Sequence, residues 1–138
     1  MRTIRVGLRV TDADRSVAFY TAVGYEIVGR VADTPIGHLT MLKLPADEFA
    51  SIELVHDPDH GATGSDSGLS HLVIAVDSMV DTVAQLSARG IHTEPPTSPD
   101  GSDDFLTTAI VDPDGNRIEI VQWPPGHPTG LTAADFTS

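Results

Sequence analysis

The chain has no cysteine and a single lysine, Lys43. The missing thiols exclude disulfides, thiolate metal sites and cysteine nucleophiles. Basic residues are few: 8 Lys+Arg stand against 20 Asp+Glu, for a formal net charge of −12. A polybasic patch cannot form, which argues against nucleic acid or an anionic membrane surface as a partner. No apolar run approaches the roughly 20 residues of a membrane span. The opening MRTIRVGLRV reads as a strand, not as a signal peptide. The expectation is a soluble cytoplasmic protein. Glutamate is also scarce, with 5 Glu against 15 Asp. What is present suits one domain: 138 residues, 40% of them hydrophobic, supply one ordinary core.

Strand patterns alternate with two helix patterns. In residues 4–10, Ile4, Val6, Leu8 and Val10 share one parity, the mark of a half-buried strand. A helix is predicted over residues 12–23, capped by Thr11 or Asp12, with Val17, Ala18 and Phe19 near its buried side and Gly24 at its end. Strands are predicted over 25–31, 38–44 and 49–56. Residues 57–68, DPDHGATGSDSG, read as a connection. The pattern then restarts. Residues 70–76 form a strand, Ser78 caps a helix that runs to Arg89, and Gly90 closes it. A short strand around 91–94 leads into the acidic loop 95–104. Residues 105–111 and 117–123 form a hairpin across Asp112-Pro113-Asp114-Gly115-Asn116. The tail, residues 124–138, has no strong periodicity.

The restart is an internal repeat with an offset of 66 residues. Val10 maps to Val76, Val17 to Val83, Ala18 to Ala84, Ala22 to Ala88 and Gly24 to Gly90. Ile52-Glu53-Leu54-Val55 maps to Ile118-Glu119-Ile120-Val121. Each half reads βαβββ, module 1 over about 4–56 and module 2 over about 70–123. Two copies are too few for a solenoid. They predict one α+β domain with pseudo-two-fold symmetry.

Alternate strand residues point to opposite sheet faces. If Leu8, Leu54, Leu72 and Ile120 face the helices, then Arg5, Glu53, His71 and Glu119 face away from them. These four are two repeat-related pairs, Arg5 with His71 and Glu53 with Glu119, so a two-fold axis would gather them at one centre.

The stretches RVTDADRSVAFYTAVGYE, SIELV, SHLVIAVDS and DPDGNRIEIVQW, set in paired βαβββ modules, resemble the vicinal oxygen chelate superfamily. That group includes glyoxalase I, bleomycin-resistance proteins and extradiol dioxygenases. The opening LRV-x-D-x-x-R-S-x-x-FY is most similar to glyoxalase I. The resemblance implies mixed sheets that form an open cup with helices outside, and a homodimer. It also implies a divalent ion (Zn, Ni, Fe or Mn) held by the first and last strands of each module. Carried over, those positions are Arg5, Glu53, His71 and Glu119. The last three are ligand types. Arg5 replaces a ligand, usually His or Gln, and a guanidinium cannot ligate. Without metal, the two glutamates and Arg5 leave one negative charge, which a protonated His71 would cancel. With a divalent ion the cluster becomes positive, and Arg5 repels the ion. The remaining histidines, His38, His56, His60, His92 and His127, lie outside the motif.

Two functions follow from the resemblance. The first is a metal-dependent lyase or isomerase similar to lactoylglutathione lyase. It would act on a small α-oxygenated substrate of hemithioacetal type through an enediolate, with Glu119 and Glu53 as ligand and general base. Arg5, Arg9 and Trp123 would contact the substrate. The second is a metal-free protein that binds a small molecule such as an antibiotic, with Arg5 in the place of the ion.

Overall fold

The computed structural model describes residues 1, 3–59 and 69–136. Most of the predicted connection 57–68, including His60, lies outside the described residues. The described chain is α+β and falls into two compact units: residues 1–69 with the turn 112–116, and residues 70–111 with 117–138.

In the first unit the elements are β1 (Val6–Arg9), α1 (Ala13–Val23), β2 (Glu26–Thr34), β3 (Gly37–Lys43) and β4 (Ile52–His56). They form an open mixed sheet in the order β1-β4-β3-β2, with β1 parallel to β4 and the other pairs antiparallel. Asp12 caps α1 by accepting from the Arg15 amide at 3.0 Å, which satisfies one of the orphan donors of the first turn. Gly24, at φ 131°, ends the helix in a conformation that suits glycine. Leu8, Val10, Tyr20, Leu42, Ile52 and Leu54 are core residues. The first strand is shorter than predicted: Ile4 and Val6 share the parity of Leu8 and Val10 but are exposed. Parity selects a face; it does not supply a covering element.

The buried row of α1 also differs from expectation. Ala18 is exposed, Val17 and Phe19 are half-buried, and the two fully buried residues are Ser16 and Tyr20. The reason is the turn 112–116. Tyr20 Oη donates to Asp112 Oδ2 at 2.6 Å, and Ser16 Oγ donates to Asp114 Oδ2 at 3.2 Å. Thr11 adds its hydroxyl at 2.5 Å and its amide at 3.2 Å, both to Asp114 Oδ1. Asp112 also accepts the Asp114 amide at 2.9 Å, the Asn116 amide at 2.8 Å and Asn116 Nδ2 at 2.9 Å. Its buried carboxylate therefore receives four donors, as a buried charge must. Burial first, and the Asp112 bond second, push the Tyr20 phenol well above its ordinary pKa.

In the second unit the elements are β5 (His71–Ala75), α2 (Met79–Ala88), β6 (Leu106–Val111) and β7 (Arg117–Gln122), followed by a short 3-10 helix at Ala133–Phe136. The sheet order is β5-β7-β6, again with a parallel first pair. Ser78 caps α2 by accepting from the Asp81 amide at 3.2 Å. Met79, Leu86, Ile110, Ile118 and Ile120 form the core. The short strand expected around 91–94 is not a regular strand. The segment is tied to β6 by a Glu94 amide to Ala109 carbonyl bond of 3.1 Å and by an isolated bridge between Thr97 and Thr107. Pro95 and Pro96 have no amide hydrogen, so a ladder cannot run through them.

The repeat survives at the level of register. The β1–β4 pairs Val6–Ile52, Gly7–Glu53, Leu8–Leu54 and Arg9–Val55 become, 66 residues on, Leu72–Ile118, Val73–Glu119, Ile74–Ile120 and Ala75–Val121 in β5–β7. The helix caps Asp12 and Ser78 and the buried helix residues Tyr20 and Leu86 keep the same offset. Among the described residues, no helix is long and apolar enough to cross a membrane.

Candidate functional site

Each unit builds half of the expected cluster on its parallel strand pair. In the first unit Glu53 lies opposite Gly7 in the β4–β1 register. Arg5, two residues before Gly7, sits on the same side. Its Nε donates to Glu53 Oε1 at 3.2 Å. The Glu53 side chain is 14% exposed and the Arg5 side chain 41%, so the carboxylate is covered while its guanidinium partner reaches solvent.

In the second unit the equivalent pair is His71 and Glu119, and it is open. His71 Nε2 stands 4.0 Å from Glu119 Oε2, with the two side chains 40% and 38% exposed. Ser70 Oγ lies 2.9 Å from His71 Nδ1. Beside Glu119 is Arg117, whose Nε is 3.6 Å from Oε1. The rest of that guanidinium is taken by Glu94: the two terminal nitrogens donate to Oε1 at 2.8 Å and Oε2 at 3.3 Å. The bond to Arg117 holds the Glu94 carboxyl below its ordinary pKa, and Glu94 in turn raises that of Arg117.

Glu94, Thr97, Thr107, Thr108, Arg117 and Glu119 line an open polar pocket of about 130 Å³. A drug-sized ligand needs roughly 300–1,000 Å³, and this pocket is well below that. Thr108 Oγ1 donates to the Glu94 carbonyl at 2.5 Å and pins that wall to β6.

Sequence parity therefore places Arg5 against Glu53 and His71 against Glu119, each pair within its own unit. Arg9 is exposed on β1 opposite Val55. Trp123 is engaged by its own chain: Nε1 donates to the Thr129 carbonyl at 2.8 Å, and Phe105 and His127 stack on the indole at centroid distances of 5.1 and 4.1 Å. Arg117 and Glu94 were missed. Arg117 shares the parity of Glu119, so a signal for it was present. Glu94 ends the short strand expected around 91–94, and nothing in that reading pointed to Arg117 as its partner.

Neither unit by itself brings the three expected ligands, Glu53, His71 and Glu119, together. The first unit offers one carboxylate, already bridged to a guanidinium. The second offers one imidazole and one carboxylate, with a second guanidinium 3.6 Å from the latter. Among the described residues, no group of three or more His, Asp or Glu side chains is arranged to hold a metal. Permanent cations at this range oppose a metal ion.

A parallel-paired βα repeat with a Glu at the same strand position in each half defines a class, and comparison with known proteins agrees. Residues 2–120 match the Glyoxalase/Bleomycin resistance protein/Dioxygenase superfamily, and the chain belongs to that family. A lactoylglutathione lyase of Salmonella typhimurium is 26% identical over 126 residues, covering 88% of this chain and 93% of its own. A protein of Arabidopsis thaliana named probable lactoylglutathione lyase, chloroplastic, is 30% identical over 125 residues, again 88% of this chain. The chain spans only 35% of that longer relative. A crystal structure of a glyoxylase/bleomycin resistance protein/dioxygenase domain from Frankia sp. EAN1pec matches with a TM-score of 0.74 at 24% identity, covering 94% of this chain and 96% of that one, and shows the shared fold.

Proposed function

We propose that the chain is a glyoxalase-like isomerase for a small α-oxygenated carbonyl compound, of the hemithioacetal class, and that Glu119 is its base. The observation that carries this is the contrast between the repeat-related carboxylates. Glu53 is covered and bonded to Arg5. Glu119 is half-open to a polar pocket, with His71 4.0 Å away. Relatives named lactoylglutathione lyase support the reaction class.

In this reading Glu119 takes the proton from the carbon that bears the hydroxyl and returns it to the adjacent carbonyl carbon, while the hydroxyl proton passes to the former carbonyl oxygen. The hydroxyl carbon is oxidised and its neighbour reduced, so no external oxidant is needed. Charge that develops on the two oxygens meets Arg117 Nε on one side of Glu119 and the His71 ring on the other. Arg5 keeps Glu53 neutralised, so one base acts. The metal-dependent form, with Glu53, His71 and Glu119 as ligands, gains no support from either unit's donor set. The same proposal takes the partner to be a small molecule and the setting to be the cytoplasm, with the chain working as a homodimer.

The test is turnover of methylglyoxal with glutathione or another low-molecular-weight thiol by wild type, Glu119→Gln and Glu53→Gln. The proposal predicts that Glu119→Gln removes turnover by a factor of about 10²–10⁴ and that Glu53→Gln loses far less. Equal losses would refute the assignment of Glu119. Ligand binding without turnover would favour the metal-free binding protein, a reading that the closed Arg5–Glu53 pair also suits.

A further inference from the structure

Residues 124–136 carry no sequence periodicity, yet they are held by a connected set of contacts. The His127 ring stacks on Trp123 with centroids 4.1 Å apart and planes 11° from parallel. Both of its nitrogens face acceptors: Nδ1 lies 2.6 Å from the Pro128 carbonyl and Nε2 lies 2.5 Å from Asp135 Oδ1. Neither a carbonyl nor a carboxylate can donate. A neutral imidazole has one N–H and one lone pair, so it would leave one contact repulsive. Only the imidazolium satisfies both. The other Asp135 oxygen accepts the Thr132 amide at 2.8 Å, at the entry to the 3-10 helix. Trp123 Nε1 donates to the Thr129 carbonyl inside the same loop. The indole face offers the imidazolium a cation–π contact as well.

We propose that His127, Asp135 and Trp123 form a protonation-dependent clasp that fastens the C-terminal segment to the end of β7 and releases it as pH rises. Among the described residues, the charged group in contact with His127 is Asp135, and the His127 ring also meets the Pro128 carbonyl and the indole. The shifts agree in sign. The Asp135 bond, then the Pro128 carbonyl, raise the His127 pKa above 6.5. The Thr132 amide, then His127, lower that of Asp135 below 3.8. The His127 contribution is full below the ordinary imidazole pKa and is lost as pH rises through the raised value. The Asp135 contribution is full above the ordinary carboxylate pKa and is lost as pH falls through the lowered value. The clasp is closed between those limits. While closed, it keeps the indole covered by His127 as well as by Phe105.

Trp123 is the only tryptophan, so its fluorescence reports the clasp directly. Acrylamide quenching of the full chain is measured against pH for wild type, His127→Gln and Asp135→Asn. Wild type should resist quenching at mildly acidic pH and become severalfold more quenchable above neutrality. Both variants should be quenchable at all pH values. A flat wild-type profile, or variants that keep the wild-type resistance, would overturn the proposal. Limited proteolysis of wild type, read by mass, guards against a variant that misfolds. Cuts within residues 124–136 must increase with pH while the strands stay intact. Cutting independent of pH overturns it equally.

Discussion

Tyr20 Oη donates a 2.6 Å hydrogen bond to Asp112 Oδ2, and both residues are buried. This bond ties helix α1 to the turn 112–116 and accounts for two motifs at once, the FY of the helix and the first Asp of DPDGN. Tyr20→Phe should cost about 1–3 kcal/mol, because it removes one donor from a buried carboxylate. Asp112→Ala should cost more, since three further donors lose their acceptor. The double variant should cost less than the sum of the two. Chemical denaturation of the four proteins measures this coupling.

The two tyrosines are the only ones in the chain, and both are buried. Burial, followed by the charge of Asp47, pushes Tyr25 up to about 12, and Tyr20 is raised further by burial and Asp112. A raised pKa means that the folded state holds its proton longer than the unfolded state. This stability is full below about pH 10 and falls as pH rises toward 12. A near-ultraviolet titration should therefore show no tyrosinate near pH 10 in the folded protein. Tyrosinate should appear at the ordinary pH only in denaturant. A normal step in the native protein would contradict the buried placement.

Thr108 fixes the pocket wall that carries Glu94, through its 2.5 Å bond to the Glu94 carbonyl. Thr108→Val keeps the volume but leaves that carbonyl without this donor. It should cost about 1–3 kcal/mol and release Glu94 from Arg117. If the pocket binds substrate, KM should rise more than kcat falls. Thr40 occupies the matching position on β3, opposite Leu54 as Thr108 is opposite Ile120. Thr40→Val serves as the control, because Thr40 belongs to the other unit and is not among the residues that line this pocket.

Much of this was legible in the sequence because strand parity and a fixed repeat carry geometric content. The offset of 66 read from the sequence also relates the β1–β4 register to that of β5–β7 and Asp12 to Ser78 as helix caps. What was not legible had physical causes. Ile4 and Val6 obey the parity but are exposed. Pro95 and Pro96 break a ladder that hydrophobicity alone suggested. Ser16 and Tyr20 are buried because they serve a turn about 90 residues later, and no local pattern encodes that. Glu94 ends a segment expected as a short strand and His127 lies in a tail without periodicity; neither reading pointed to the contacts with Arg117, Trp123 and Asp135.

The Arg5 guanidinium lies 3.2 Å from Glu53 Oε1, and a permanent cation there opposes a divalent ion at that carboxylate. Equilibrium dialysis of the purified chain against Zn²⁺ and Ni²⁺ tests it most directly, with Arg5→His and Glu53→Ala measured alongside. Wild type should hold no stoichiometric metal, and Arg5→His, which puts an imidazole beside Glu53, should gain affinity. One tightly held metal ion per wild-type chain, lost in Glu53→Ala, would contradict it.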